Sequence, residues 1–407
     1  MGTLEKKGSF ALILLASLWV TYYGENFLKA ASSALSPVLI AELGINKGTM
    51  GLLITAFFII YGIMQIPAGM FTDMWGPRKT ILGFTTLTVV GIFLFWLSFR
   101  FELLVVAQII MGVGCSVFYI NAVSLITHWF PIERKATAIG VLSAASGLGN
   151  FTSYMGFPLA NAMFGGWRNL YILVALILLV NTGMNFFILK ENTAVSRTER
   201  KSIKNTLRSF AEVLKDRRIY PFILGYLLLS FGWVLNSWMT LFLMETKGLS
   251  YVEGGLVTSL GTIAGIPGCI IMGAVSDRLR KRKLPLMIFS CLYTIIVTTF
   301  IFAPAGLPLP LLMTLSFGIN FCGSMWVLFF SMVPEVLPPE KASIGLGLVN
   351  GLGTIGYSII TPFYGSLIDI TGNYSASNMV MILSALVMTA TMVFFTKETY
   401  GGINKAN

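Results

Sequence analysis

A short polar stretch, GMFTDMWGPRK at residues 69–79, recurs in altered form as GAVSDRLRKRK at residues 273–283. Each copy begins with a glycine and carries an aspartate four residues later, and the copies lie 204 residues apart. The same offset relates glycines outside the stretch, pairing Gly44 and Gly51 with Gly248 and Gly255. This repetition indicates that the chain consists of two halves with one design.

Apolar segments surround both copies. The 407 residues are 56% hydrophobic and only 11% charged, with a mean hydropathy of +0.80. Soluble domains carry about a quarter charged residues, so this composition excludes a water-soluble protein. Segments of about 18 or more apolar residues can cross the ~30 Å of hydrocarbon in a bilayer. We predict twelve membrane-spanning helices, at roughly 10–41, 48–72, 80–99, 103–130, 136–164, 169–190, 220–245, 252–276, 285–304, 308–333, 343–369 and 376–396.

A polar, basic segment at 191–218 separates the first six predicted spans from the last six. We therefore predict an all-α polytopic membrane protein with an N-terminal six-helix bundle at 1–190, a cytoplasmic linker at 191–218 and a C-terminal six-helix bundle at 219–407. Two such bundles, related by pseudo-symmetry about an axis along the membrane normal, form many secondary transporters.

The distribution of the basic residues, which give the chain a net charge of +11, agrees with the predicted topology. With both termini placed inside, the lysines and arginines concentrate in cytoplasmic segments, and the exceptions are Lys29 within a span and Lys47, Arg100, Arg168 and Lys247 in outer loops. This is the positive-inside pattern of a plasma (inner) membrane protein with cytoplasmic termini. The lipid bilayer therefore explains the basic charge, and no nucleic-acid partner is expected. We expect the first segment to be retained, because it is too long for a cleaved signal.

The sequence offers little support for an enzyme. Cys115, Cys269, Cys291 and Cys322 lie inside predicted spans without metal-ligand spacing, and the single histidine, His128, has no acidic or cysteine cluster beside it. We expect these cysteines to pack in the core, as free cysteines usually do. No cofactor or catalytic residue is predicted. A sensor without transport activity would carry an appended soluble domain, and neither terminus is long enough for one.

The stretch at 69–79 resembles the major facilitator signature, glycine-x-x-x-Asp-x-x-Gly-x-Arg-Arg/Lys. The copy at 273–283 lacks the middle glycine. A GGWR turn at 165–168 and the echo of residues 131–134 by 338–341 extend the resemblance along the whole chain. It implies alternating access of two bundles, with gating residues Gly69, Asp73, Gly76, Arg78, Gly273, Asp277 and Arg278. The glycines would allow close helix approach and the aspartates would pair with cations. Alternatively, the basic residues only set topology.

Two charged residues interrupt the first predicted span, in YYGENFLK at residues 22–29. The offset of 204 carries Lys29 onto Trp233, which places Lys29 near the bilayer midplane. A charge there costs roughly 2.5–3.5 kcal/mol on insertion scales, so it needs a cavity or a partner. Glu25 precedes Lys29 by one helical turn on the same face. The pair is either a structural ion pair or a substrate and proton site.

The first span further resembles the anion:cation symporter and organophosphate:phosphate antiporter branches of the superfamily. Those branches carry an anion-binding arginine eight residues before a proline, and here Lys29 precedes Pro37 by eight residues. The antiporter branch has a second arginine where Trp233 stands, and the symporter branch often has Arg and Glu where Gln108 and Cys115 stand. One buried cation suits a monocarboxylate better than a doubly charged phosphate ester.

Polar and aromatic residues at about the same depth in the membrane as Lys29 are candidates to line a substrate cavity with it. Each could instead pack between helices, although a buried amide needs hydrogen-bond partners that a substrate can supply. We expect the cavity to be lined from both bundles, with Lys29 facing Trp233. The predicted substrate-binding residues are Lys29, Tyr22, Asn26, Tyr119, Asn150, Tyr154, Trp233, Asn236, Asn320, Trp326 and Tyr357.

The sequence thus predicts a monomeric secondary active transporter of a small organic anion, with the proton as coupling ion. In this hypothesis Lys29 neutralises Glu25 in the empty site, an arriving carboxylate takes over the ammonium, and Glu25 then binds a proton. One alternative is an exporter of amphipathic or zwitterionic compounds, in which Glu25 meets a cationic group. A second is an anion exchanger without proton coupling.

Overall fold

The computed structural model describes residues 2–190 and 211–401, with side chains from Phe10 onward apart from a few inside helices. These residues form helices and connecting turns without a β-strand, which confirms the predicted all-α class. The chain divides into two compact units, one of Met1–Ile45 with Leu52–Arg200 and one of Asn46–Gly51 with Lys201–Asn407. The short segment Asn46–Gly51 therefore groups with the second unit.

Seven helices of the described residues lie wholly or mostly in the first unit. Pro37 ends α1 and lies in the first turn of α2, because its ring removes a backbone donor and clashes with the carbonyl four residues earlier, whereas the first turn of a helix tolerates it. Gly44, at φ 63°, then ends α2 in the left-handed conformation that glycine adopts readily. The helices are α1 (Gly2–Ala34), α2 (Ser36–Leu43), α3 (Lys47–Leu97), α4 (Phe101–Cys115), α5 (Phe118–Trp129), α6 (Ile132–Met163) and α7 (Trp167–Ile188).

Eight α-helices build the described part of the second unit. A single 3₁₀ turn, Arg217–Ile219, precedes them and a π-helical turn, Thr391–Phe395, follows them. The helices are α8 (Tyr220–Lys247), α9 (Tyr251–Ile263), α10 (Gly265–Leu279), α11 (Lys283–Phe302), α12 (Leu309–Gly323), α13 (Trp326–Val336), α14 (Pro339–Thr371) and α15 (Ser375–Ala390).

Eleven helical segments of the described residues are long and apolar enough to span a membrane. The predicted segment at 136–164 is not among them, although it forms most of α6. Its serines, threonines and asparagines lower its hydropathy. One face of α6 instead packs closely on α1, where a Cβ on Gly149 would lie 2.5 Å from the carbonyl oxygen of Tyr23. A small residue is needed at this crossing, as at other close helix contacts in membranes.

Polar side chains also join α1 to α7. The Ser17 hydroxyl donates to the amide oxygens of Asn181 and Asn185, at 3.1 and 2.7 Å. The Asn181 amide donates to the backbone oxygen of Ser17 at 3.0 Å and to the Thr21 hydroxyl at 2.8 Å. Hydrogen bonds between helices hold membrane bundles together, since lipid provides no alternative partner. This buried network therefore fixes α7 against α1.

The two repeated polar stretches both have a positive φ at one position, although the residue there differs between them. Gly76 breaks α3 with φ 79° and ψ 161°. Arg280, which stands 204 residues later, caps α10 with φ 51° and ψ 38°. Both backbones enter the positive-φ region, where a non-glycine residue is strained. The repeat thus keeps a positive φ at this position even where the glycine is lost, although ψ differs between the two copies.

The cysteines follow the predicted packing only in part. Cys115 and Cys322 are buried and Cys269 is half-buried, whereas Cys291 is exposed. The prediction is therefore wrong for Cys291. An exposed thiol within an apolar span faces the hydrocarbon, where a small, weakly polar side chain is tolerated.

Candidate substrate site

The Lys29 ammonium in α1 lies over aromatic rings. Its Nζ is 4.5 Å from the ring centroid of Tyr61 in α3 and 5.8 Å from that of Tyr22. The negative face of a tyrosine ring attracts a cation, with a worth of about 0.5–2 kcal/mol that depends on desolvation. The rings hold the ammonium without neutralising its charge, so Lys29 can still bind an anion.

Glu25 is 1% exposed, and neither of its carboxyl oxygens has a hydrogen-bond partner among the described residues. The direct Glu25–Lys29 ion pair expected for the empty site is therefore not formed. The helical spacing puts both residues on one face, but the flexible lysine side chain extends to Tyr61 instead. A buried acid without a partner is costly, and such groups concentrate where proteins bind protons or ligands.

Two more predicted residues, Tyr119 and Asn26, lie around Tyr22. Its ring is 5.2 Å from that of Tyr119, whose hydroxyl is 3.1 Å from the Ser143 hydroxyl. The Asn26 amide donates to the backbone oxygen of Tyr22 at 2.8 Å and accepts from Ser146 at 2.8 Å. Tyr22, Asn26 and Tyr119 thus form one cluster with Lys29. Asn150 and Tyr154 lie on α6, half-buried and buried respectively, and their predicted contact with substrate remains a prediction.

In the second unit, four predicted residues line one cavity of about 120 Å³. Trp233, Asn236, Asn320 and Trp326 meet there, contributed by α8, α12 and α13. The two amides pair reciprocally, with Asn236 donating to Asn320 at 2.6 Å and Asn320 donating to Asn236 at 3.1 Å. Among the described residues, the cavity therefore presents aromatic, amide and hydroxyl groups and no charged side chain.

Tyr357 is not among the residues that line this cavity. Its hydroxyl lies 2.6 Å from the Ser237 hydroxyl, and the residue is 6% exposed. Its predicted substrate contact stays a prediction, as does the placement of Lys29 opposite Trp233, because those two residues belong to different units.

Sequence reasoning missed two tyrosines of these clusters. Tyr61 carries the shorter contact to the Lys29 ammonium, and Tyr293 of α11 lines the cavity of the second unit. Tyrosines inside apolar spans resemble core residues in a sequence, so neither stood out. The unmatched charge of Lys29 was the available signal for Tyr61, since a buried cation without an acid partner needs aromatic or carbonyl groups around it.

The predicted gating residues of the first unit are only partly visible. Gly69 and Asp73 lie in α3, but their surroundings are outside the described part of the structure. Gly76 forms the break in α3. The Arg78 guanidinium donates to the backbone oxygen of Phe186 in α7 at 2.8 Å. Arg78 thus ties the loop to α7 in addition to any effect on topology.

In the second unit, Asp277 pairs with Arg282 at 2.6 Å rather than with the exposed Arg278. Arg282 also reaches Glu335 at 3.1 Å and so joins α10 to α13. A Cβ added at Gly273 would meet no described atom within 4 Å, so this glycine does not serve the close helix approach expected for it. A gating role for Asp277, Gly273 and Arg278 stays a prediction.

A C-terminal strap, residues 396–400, covers the same loop. The Glu398 carboxylate accepts the backbone N–H groups of Arg282 and Lys283, at 2.7 and 3.1 Å, and so caps α11. Thr399 donates to Glu335 at 2.7 Å, and Tyr400 lies under the Arg282 guanidinium. Burial opposes ionisation of Glu398, but the backbone donors outweigh it and hold its pKa below the usual value. The cap is therefore complete at neutral pH and lost as pH falls through that lowered pKa.

Comparison with known proteins agrees with this architecture. The model of the Major Facilitator Superfamily matches residues 14–361, which is most of the chain. The chain therefore belongs to the major facilitator superfamily, and it is an integral membrane protein.

Several transporters are similar along nearly the whole length. A probable sulfoacetate transporter from Cupriavidus necator is 23% identical over 393 residues, covering 90% of each chain. A quinolone resistance transporter from Acinetobacter baumannii is 26% identical over 383 residues, covering 86% of each chain. The two relatives are named for chemically different compounds, and their identities to this chain are comparable. The choice between these substrate classes must therefore come from the site.

A solved structure shows the same fold. A bacterial homologue of the human lysosomal transporter Spinster, in an inward-facing and occupied conformation, has a TM-score of 0.72 at 17% identity. The match covers 95% of this chain and 96% of that one. At this identity the likeness supports the fold alone.

Proposed function

We propose that the protein is a secondary active transporter of a small organic anion, most favourably a monocarboxylate, working by alternating access with the proton as coupling ion. The observation that carries the proposal is the Lys29 ammonium in α1, which is flanked by the rings of Tyr61 and Tyr22. A cation inside an apolar span is costly unless it serves a partner. An anionic substrate is such a partner, and the probable sulfoacetate transporter among the relatives is named for an anion too.

The chemistry around Lys29 favours a single negative charge. Lysine binds as a point charge, whereas arginine offers the forked geometry that suits phosphate. A carboxylate about 4 Å from the ammonium would gain up to about 4 kcal/mol at an effective dielectric of 20. The half-buried position of Lys29 leaves it open to such a contact.

Glu25 supplies the coupling in this proposal. Its buried carboxyl lacks a hydrogen-bond partner among the described residues, so its charge state responds strongly to any nearby charge. When an anion engages Lys29, the ammonium is neutralised and an ionised Glu25 loses its nearest compensating charge. Glu25 then takes up a proton together with the substrate, and release of the anion returns the proton.

A second candidate is an exporter of amphipathic or zwitterionic compounds. The quinolone resistance relative favours it, and the unpartnered Glu25 could meet a cationic group of such a compound. This alternative predicts that Glu25, rather than Lys29, determines binding. A third candidate is anion exchange without proton coupling, in which Glu25 is dispensable for both binding and transport.

Uptake into proteoliposomes, with and without an imposed pH gradient, distinguishes these candidates. The proposal expects Lys29→Ala to abolish anion binding and Lys29→Arg to retain it as a charge-preserving control. Glu25→Gln should keep binding and exchange but lose accumulation driven by the gradient. One pH unit is worth about 1.4 kcal/mol per proton, which corresponds to roughly tenfold accumulation at one proton per anion.

Each alternative has its own result. If Glu25→Gln still concentrates the anion in response to the gradient, Glu25 is not the coupling residue. If Lys29→Ala binds organic anions as the unchanged protein does, the anion proposal is wrong. Binding of cationic amphiphiles that depends on Glu25 alone would support the exporter.

A further inference from the structure

The Lys29 ammonium has two candidate partners within reach, and the structure shows it at one of them. Its Nζ lies 4.5 Å from the ring centroid of Tyr61 and 5.8 Å from that of Tyr22. Glu25 precedes Lys29 by one helical turn, in the order that favours an ion pair. Its carboxyl oxygens nevertheless have no hydrogen-bond partner among the described residues. The rings therefore hold the ammonium although an ion pair with Glu25 was open to it.

The position of the Tyr61 ring depends on how α3 packs on α4. A Cβ on Gly112 of α4 would lie 2.6 Å from the backbone oxygen of Phe57, so a larger residue there would push α3 away. The buried Phe57 ring stacks on the Tyr61 ring, with centroids 6.0 Å apart and an angle of 14° between the planes. Gly112 and Phe57 thus support the Tyr61 ring over the ammonium, and all of these residues belong to the first unit.

The rings and Glu25 have opposite effects on the charge of Lys29. A cation over the face of a tyrosine ring keeps its full charge and still attracts an anion. An ammonium paired with a carboxylate is neutralised, and an incoming anion would first have to displace that carboxylate. The pair would also require Glu25 to carry a charge in a buried site, which is costly. The ring contact therefore leaves Lys29 charged and avoids this cost.

We propose that Tyr61 is a positioning residue that keeps the Lys29 ammonium away from Glu25, so that the ammonium stays available to an anion. Tyr61 acts through the face of its ring, and its hydroxyl is dispensable for this role. The consequence for binding rests on the proposed transport of organic anions. The competition between Tyr61 and Glu25 for the ammonium does not depend on any substrate, so the two parts are tested separately.

The first test is a double-mutant cycle on the unfolding of the purified full-length protein without an added anion. In the unchanged protein Glu25→Gln should leave the unfolding midpoint unchanged or raise it, because the carboxyl has no partner to lose. In Tyr61→Leu, which has no ring face, Lys29 pairs with Glu25, so adding Glu25→Gln should lower the midpoint. We expect a coupling of about tenfold in the equilibrium constant for unfolding. Tyr61→Phe keeps the ring, so Glu25→Gln should act there as it does in the unchanged protein.

The second test measures binding of two probes, propionate and sulfoacetate, the second being the anion for which a relative is named. Tyr61→Leu should weaken binding about three- to thirtyfold, which corresponds to the loss of a cation–π contact, and Tyr61→Phe should retain it. Adding Glu25→Gln to Tyr61→Leu should restore the affinity, since the competing carboxylate is then gone.

Tyr23→Leu is the matched control for the binding test. Tyr23 is a half-buried tyrosine of α1, like Tyr22, but its hydroxyl lies 2.6 Å from that of Thr152 and its ring stacks on that of Trp19. A loss of affinity in Tyr23→Leu would come from packing, so adding Glu25→Gln should not restore it.

The outcomes separate this inference from the function on which its binding part rests. If Glu25→Gln shifts the midpoint equally with and without Tyr61→Leu, or fails to restore binding while Lys29→Ala abolishes it, the role of Tyr61 is overturned and anion transport stands. A loss of binding in Tyr61→Phe would assign the contact to the hydroxyl and overturn the role of the ring. If neither probe binds in a manner that depends on Lys29, the proposed function fails, and the unfolding cycle still decides the role of Tyr61.

Discussion

Replacing Glu25 by methionine should stabilise the protein while abolishing proton-driven transport. The side chain is 1% exposed and both carboxyl oxygens lack a partner among the described residues. An unsatisfied buried polar group costs about 1–3 kcal/mol. Methionine is unbranched and adaptable, so it fills a similar space without a polar atom. We therefore expect the free energy of unfolding to rise by about 1–3 kcal/mol.

Thermal unfolding of the purified protein in detergent, followed by tryptophan fluorescence, measures this change. The control is Glu42→Gln, because Glu42 accepts from Arg168 at 2.6 Å and from the indole of Trp167 at 3.0 Å. That variant should lower the unfolding midpoint, whereas Glu25→Met should raise it. A lower midpoint for Glu25→Met would mean that Glu25 is held by a stabilising partner, and the reading of Glu25 as a functional proton site would then lose its basis.

Three further predictions concern gating, packing and backbone conformation. Asp73→Asn should slow transport severalfold and leave the equilibrium affinity nearly unchanged, since a gate biases conformations; a large loss of affinity at normal turnover contradicts this. Asn181→Leu should destabilise the protein by about 1–2 kcal/mol, because it removes the bonds to Ser17; an unchanged unfolding midpoint would refute the network's importance. Arg280→Gly should raise the free energy of unfolding by up to about 1 kcal/mol, because glycine relieves the positive φ at this position. Arg278→Gly, at a helical position, should lower the free energy of unfolding. Equal shifts in the two variants would show that Arg280 is not strained.

The sequence predicts the fold well because membrane spans depend on local composition. Runs of apolar residues and the offset between Gly69 and Gly273 are sufficient to place the helices and to identify the repeat. The prediction for 136–164 shows the limit of reading spans from apolar runs, since this segment was counted as one but its helix is not among the eleven candidate spans of the described residues. The loss of the middle glycine, by contrast, gave no hint that Arg280 also has a positive φ.

The site is less predictable because it depends on how far side chains reach. Lys29 stands out as a charge in an apolar span, but its partner Tyr61 lies on another helix and looks like a core residue. Helical spacing allows an ion pair between Lys29 and Glu25. Spacing alone does not show, however, that the ammonium lies over the rings of Tyr61 and Tyr22 instead. The Tyr293 hydroxyl can lie where it does only because Gly232 has no side chain. This depends on how α8 and α11 pack together, which the sequence does not show.

The strap of residues 396–400 has a consequence for the order in which the protein matures. Domains form from the N-terminus while the chain is being synthesised. The first turn of α11 receives its cap from Glu398, about 115 residues later in the chain. The loop that holds Asp277 and Arg282 therefore cannot complete its hydrogen bonds until residue 398 has been synthesised. A chain that stopped before residue 396 would still contain its helices but would lack this cap, so the first turn of α11 would differ locally from that of the longer chain.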